Sequence, residues 1–167
     1  MANYEIPEQP ELISPGILGK VVQQDYHRDK FDNENRLLHM AGIHVDAVFI
    51  GDSLTEGWPV DKLLRDIFPN SVNRGVGGDS AHHLPARLEA DLLQLKPSHV
   101  ILMIGTNDVS YRFGYDTPET IVGDYLRNMT GILERLHESG ARCFIGTVPP
   151  TRRMLVHDRE YAARHRH

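Results

Sequence analysis

The chain has 167 residues, 40% hydrophobic and 25% charged, which suits one globular domain with a real core and is short for two. A formal net charge of −5 weighs against a general nucleic-acid binder, which needs a basic face. The longest apolar run, Val100 to Ile104, is far too short to span a membrane, and a single cysteine, Cys143, allows neither an internal disulfide nor a cysteine metal cluster.

The opening MANYEIPEQPELISPG carries acidic residues and no apolar stretch, unlike a secretory signal, so a soluble cytoplasmic protein is expected. Residues 1–20 are rich in Pro and Gly and read as an extended arm. From about Asp25 to Met40 the chain is helix-compatible, with Gly42 a natural stop. Asp46–Ile50 (DAVFI) is a short strand, followed by a loop and a helix-like segment, Pro59–Ile67. Ser71–Asn73 is a brief strand, leading through a Gly-rich loop to a helix ending across Leu84–Leu95. Ser98–Ile104 is the clearest buried strand. A long helix from Pro118 to His137 follows, with Thr117 as its N-cap and Ile121, Leu126, Ile132, Leu133 and Leu136 as its apolar stripe. Ala141–Gly146 is a fourth strand, with Cys143 as a small core residue, and a helix-like stretch comes after Pro149-Pro150. Residues 1–167 thus read as a single domain.

Strands alternating with helices predict an α/β fold with right-handed crossovers and a parallel sheet covered on both faces. Ligands of such sheets bind beyond the carboxyl ends of the strands. That singles out three loops: GDSLTEGW (51–58), NRGVGGDS (73–80) and GTND (105–108). Together they supply what acyl transfer needs. Ser53 is a hydroxyl on a tight turn at a helix start, where N–H groups favour developing negative charge. Gly78 lets the backbone approach a substrate and aim its N–H at an oxyanion, and Asn107 adds a neutral side-chain donor. Asp52, Asp79 and Asp108 read as loop supports bonded to backbone N–H groups. Glu56 and Trp58 either line the cleft or, for Trp58, anchor the next helix. Each motif alone is a common turn sequence. Their order is what makes them specific.

In that order the blocks GDSLTEGW, NRGVGGD and GTND resemble the SGNH (GDSL) hydrolase family, particularly bacterial members similar to the catalytic subunits of platelet-activating-factor acetylhydrolase. The resemblance runs over about residues 46 to 150. It implies a three-layer α/β/α flavodoxin-like fold and an esterase, a serine-dependent acylhydrolase that takes a small acyl ester and needs no metal or cofactor. It makes Ser53 the nucleophile and, through its N–H, an oxyanion donor beside Gly78 and Asn107. The sequence lacks the elbow Gly-x-Ser-x-Gly, a dinucleotide fingerprint, a Walker loop and a zincin motif.

One part of the pattern is missing. The family's late Asp-x-x-His block, which supplies the base, is not found after residue 150. Asp79–His82 has that spacing but reads as a surface or rim feature; His157 and Asp158 are adjacent, so their side chains diverge too much to pair easily, and His165 and His167 read as a solvated helix face or frayed tail. The expectation is a chain shortened before its last strand and helix, with an exposed fourth-strand edge through which copies self-associate. Two rivals remain: a carbohydrate- or lipid-binding module of the same fold that has lost catalysis, and an FMN binder, which would need a Ser/Thr-rich phosphate loop after the first strand.

Overall fold

The computed structural model describes residues 12–15, 18–19, 22–110, 112 and 114–148. The four β-rich runs pair as one parallel sheet: β1 (Ala47–Gly51), β2 (Ser71–Gly75), β3 (His99–Met103) and β4 (Arg142–Ile145), in the order β2-β1-β3-β4. β1 lies inside, with Ile50 opposite Arg74 on one side and Leu102 on the other. Alternate side chains of a strand point to opposite faces. Val48 and Ile50 therefore pack with Leu84, Leu88 and Leu92 and with Met129, Ile132 and Leu136 of α6 (Pro118–Glu138). Ala47 and Phe49 face the other way, onto Val60 of α3 (Val60–Leu63) and onto Leu64 and Phe68. Burying each large apolar side chain stabilises by about 1.5–3 kcal/mol, so the middle of the sheet is the firmest ground from which loops can be hung. The expected α/β class and layering are what the chain adopts.

The helix α1 (Val22–Met40) docks by different chemistry. Its buried residues, Gln24, Arg28, Phe31 and Asn35, recur at helical spacing, and three of the four are polar. It stops where Gly42, at a φ of +62°, turns its N–H back to the His39 carbonyl.

Several details differ from the sequence reading. On α6 the Thr117 hydroxyl caps the Thr120 N–H as expected, but Leu126 and Leu133 stay 58% and 39% exposed while Met129 is buried. At about 100° per residue, Leu126 lies ~140° from Ile121 and Leu133 ~100° from Ile132, off the inward face. The helix expected through Leu84–Leu95 is a 3₁₀ turn (Leu84–Ala86), a single α-turn α4 (Leu88–Asp91) and a second 3₁₀ turn (Leu93–Leu95). Pro85 brings no N–H, and Lys96 before Pro97 is left-handed at a φ of +46°, so the span between two prolines has few ladder bonds to hold it. Pro59–Ile67 likewise yields only the single turn α3. Cys143 is half-buried against the core rather than within it, and burial raises its thiol pKa.

β4 ends the sheet among the described residues, and its Phe144 and Ile145 are 49% and 46% exposed. No described helix is long and apolar enough to cross a membrane. Most of the expected arm, the stretch after Val148, and His157, His165 and His167 lie outside the described residues.

Candidate functional site

β1 ends at Gly51 and the chain turns at once into α2 (Ser53–Glu56). Asp52 is its N-cap, fully buried, and its carboxylate accepts the Leu54 N–H at 3.0 Å. That holds Ser53 on the first turn with its side chain exposed beyond the sheet. The turn sits tightly against the end of β2. A Cβ on Gly75 would lie 2.0 Å from the Glu56 nitrogen, so only glycine fits there. The next loop reaches van der Waals contact with the serine: a Cβ on Gly77 would lie 3.9 Å from the Ser53 Cβ, and 2.9 Å from Glu56 Oε2. Gly78 follows in the left-handed region at a φ of +79°, where side chains are strained.

Asp79 anchors that loop, though not in the expected way. Its carboxylate does accept the Ser80 N–H at 2.9 Å, but its main partners are side chains. Arg87 donates through Nε at 2.8 Å to Oδ2, and Gln24 of α1 donates through Nε2 at 2.9 Å to Oδ1. Asp79 is fully buried, so the rim role expected for Asp79–His82 is corrected: its carboxylate faces inward and cannot orient His82, which is exposed.

Arg87 is buried as well and gathers several strands of chain. It donates to the Arg74 carbonyl at 2.8 Å, to the Gly51 carbonyl at 3.1 Å and to Asp91 at 2.9 Å. Burial opposes its charge, but the carboxylates of Asp79 and Asp91 outweigh it and raise its pKa. Asp91 is shared with Arg28 of α1. Arg74, buried too, reaches Glu34 at 2.6 Å and Asn35 at 2.8 Å and lies over the Phe31 ring; burial lowers its pKa.

The third loop opens α5 (Thr106–Ser110) after β3. Asn107 donates from Nδ2 to the Asp79 carbonyl at 2.7 Å. A carboxamide carries two N–H groups, so this contact fixes the side chain and leaves a second donor. Asp108 accepts the Ala81 N–H at 2.9 Å, a second tie between the loops. Burial raises the pKa of Asp108 and of Asp52, the latter against the Leu54 N–H and the Thr106 hydroxyl. The structure thus brings Ser53, Gly78 and Asn107 to one rim: Ser53 beside Gly77, Gly78 next in the chain, and Asn107 bonded to Asp79, the residue after it. Asp52, Asp79 and Asp108 lie beneath them as supports.

Two clefts flank the rim. One, of about 540 Å³, is lined by His27, Phe31, Glu56, Trp58 and Asn73. There Trp58 is both lining and anchor, its ring edge-on to Phe49 at 5.3 Å. The other, of about 520 Å³, is lined by Ser80, His82, Asn107, Arg112 and Asp124. His27 Nε2 stands 2.8 Å from Glu56 Oε1, a histidine–carboxylate pair that sequence reading missed because 29 residues separate its members. Gln24, 55 residues from Asp79, was missed for the same reason; Arg87 was missed although Asp79 and Asp91 are only 8 and 4 residues away, the latter at the spacing of a helical ion pair. No group of acidic, histidine or cysteine residues suited to a metal occurs among the described residues.

A parallel sheet carrying these three loops past its strand ends defines an α/β domain of the hydrolase type that the motifs resemble. Residues 49–167 match the GDSL-like Lipase/Acylhydrolase family. The platelet-activating factor acetylhydrolase IB subunit alpha1 of Rattus norvegicus is 30% identical over 107 residues, covering 62% of this chain and 44% of that protein. Its Homo sapiens counterpart is 36% identical over 66 residues, 38% of this chain and 29% of that protein. Among solved structures, that of a proposed platelet activating factor from Streptococcus pneumonia superposes with a TM-score of 0.58 at 26% identity, covering 77% of this chain and 58% of that one. An acetyl xylan esterase superposes at 0.52 and 22% identity, over 60% of this chain and 57% of that one, a likeness of fold. The chain belongs to the GDSL-like lipase/acylhydrolase family, the SGNH hydrolases. It spans less than half the length of the rat relative, 44%.

Proposed function

We propose that the chain carries the nucleophile and oxyanion half of a serine esterase. Ser53 attacks the carbonyl carbon of an acyl ester, and the carbonyl oxygen becomes the oxyanion. The N–H groups of Ser53 and Gly78 and the second N–H of Asn107 hold that oxygen, the alcohol leaves, and water then releases the acyl group. The observation that carries this reading is the meeting of three loops at one rim, with Ser53 Cβ 3.9 Å from the Cβ position of Gly77 and Asn107 bonded at 2.7 Å to the Asp79 carbonyl. Fixed donors aimed at a developing oxyanion are worth about 3–4 kcal/mol each by the cost of deleting one. The rat relative is by name an acetylhydrolase, which supports a short acyl group.

The proton acceptor for Ser53 is proposed to come from a further segment carrying an Asp-x-x-His block, which residues 149–167 do not contain, or from a partner. The Asp79 carboxylate is already committed to Arg87 and Gln24. The rival is a binding module of the same fold that keeps the rim loops and holds a carbohydrate or lipid without cleaving it. A fluorophosphonate probe separates them, with p-nitrophenyl esters of increasing chain length assayed beside it, on the chain alone and on a form extended by an Asp-x-x-His segment. Labelling at Ser53 with ester turnover supports the esterase. An extended form that neither labels nor turns over, yet retains a saccharide or lipid, supports the module.

A further inference from the structure

We infer that Gln24 of α1 is a positioning residue for the oxyanion donors, so that a helix outside the matched family segment belongs to the working rim. This rests on the esterase reading of that rim. The family match begins at residue 49, whereas α1 spans Val22–Met40. Gln24 is 1% exposed, and its Nε2 donates to Asp79 Oδ1 at 2.9 Å, with the His83 carbonyl at 3.4 Å. Asp79 follows Gly78 directly, and its own carbonyl holds Asn107 at 2.7 Å. One neutral amide from α1 therefore bears on the residue that joins two of the three donors.

The way α1 is seated gives this contact its force. An apolar stripe tolerates sliding and rotation, because hydrophobic contact has no direction. Here the inward stripe is instead Gln24, Arg28, Phe31 and Asn35. Arg28 pairs with Asp91, and Asn35 donates to the Ala90 carbonyl at 2.9 Å and accepts from Arg74 at 2.8 Å. Hydrogen bonds have defined lengths and angles, so these partners lock the helix in one register. Gln24 is thereby aimed at Asp79 by three turns of helix below it. Apolar contact is sparse on this helix: Phe31 is its one buried large apolar side chain, and Leu38 packs half-buried against the core.

The test compares Gln24→Met, which keeps the volume and deletes the donor, with Gln24→Glu, which sets a second carboxylate against Asp79. Gln23→Met, at the exposed neighbouring position, is the control. Two readouts are taken: the amide resonances of Gly78 and of the Asn107 side chain in the chain itself, and p-nitrophenyl acetate hydrolysis, resolved into kcat and KM, in the form extended by an Asp-x-x-His segment. Gln24→Met is expected to shift both sets of resonances, to lower kcat about 10- to 100-fold and to leave KM unchanged, as a displaced donor does. Gln24→Glu is expected to shift them further, and Gln23→Met to leave them in place. Unmoved Gly78 and Asn107 resonances in a folded Gln24→Met chain overturn the inference, as does a proportional loss of signal over the whole chain with the donors unshifted. An extended wild-type form without turnover or probe labelling defeats the esterase reading alone, and the resonances then decide the positioning by themselves.

Discussion

Replacing Arg87 with methionine keeps most of the side-chain volume and deletes a guanidinium that touches four parts of the chain. It contacts the end of β1 at the Gly51 carbonyl, the end of β2 at the Arg74 carbonyl, the loop at Asp79 and the helical turn at Asp91. Asp91 keeps Arg28, but Asp79 is left buried without a counter-charge, on the neutral Gln24 amide and the Ser80 N–H. Breaking a buried ion pair by removing one partner costs about 3–5 kcal/mol. That is a large share of the ~5–15 kcal/mol that holds a typical domain together. With a urea slope near 2 kcal/mol per M, Arg87→Met should lower the unfolding midpoint by roughly 1.5–2.5 M. Arg87→Lys keeps the charge, but a single ammonium cannot fork to all four groups, so a loss of about 1–3 kcal/mol is expected. Equilibrium urea unfolding followed by Trp58 fluorescence measures both. An Arg87→Met midpoint within about 0.5 M of the wild type would refute the assignment of Arg87 as the tie between the loops.

Asn107→Ala removes one proposed donor and the bond to the Asp79 carbonyl, and kcat for a p-nitrophenyl ester should fall about 10²- to 10³-fold with fold retained by circular dichroism. Asp52, raised above 3.8 first by burial, holds its proton more tightly in the native chain than in the unfolded one, so its contribution to stability is fullest below 3.8 and declines as pH rises through the native value. Asp52→Asn keeps an acceptor for the Leu54 N–H and should flatten that decline, read as the urea midpoint from acid to neutral pH. The outer edge of β4, unpaired among the described residues and with Phe144 and Ile145 half-exposed, is proposed to pair copies of the chain; sedimentation velocity should show association that grows with concentration and is lost in Phe144→Lys, and a monomer at every concentration would count against it.

The sheet was legible because its signal is local. DAVFI and SHVILMI are short β-rich runs bounded by turn residues, and the alternation with helices leaves a parallel sheet as the simplest arrangement. The rim was legible for the same reason: Ser53, Gly78 and Asn107 each sit within a few residues of a strand end. What the residue pattern could not carry was partnership at long range. Gln24 and Asp79 are 55 residues apart and Arg28 and Asp91 63 apart, and nothing in either neighbourhood announces the other. Polar residues at Gln24, Arg28 and Asn35 also disguise a buried face as a solvated one, because hydropathy cannot tell an amide bonded inside the protein from one in water. The helices between prolines failed through geometry: a good apolar pattern at Leu84, Leu88 and Leu92 persists through 3₁₀ turns that break the α ladder.

The charged seam from Arg28 through Asp91 and Arg87 to Asp79 also sets how the molecule meets heat. Water solvates ions less favourably as temperature climbs, so the penalty for keeping these four groups dry shrinks just as apolar burial stops gaining strength. Warming therefore shifts the load from the leucine layers to the seam, which makes the seating of α1 firmest, relative to the sheet, toward the upper end of the protein's temperature range.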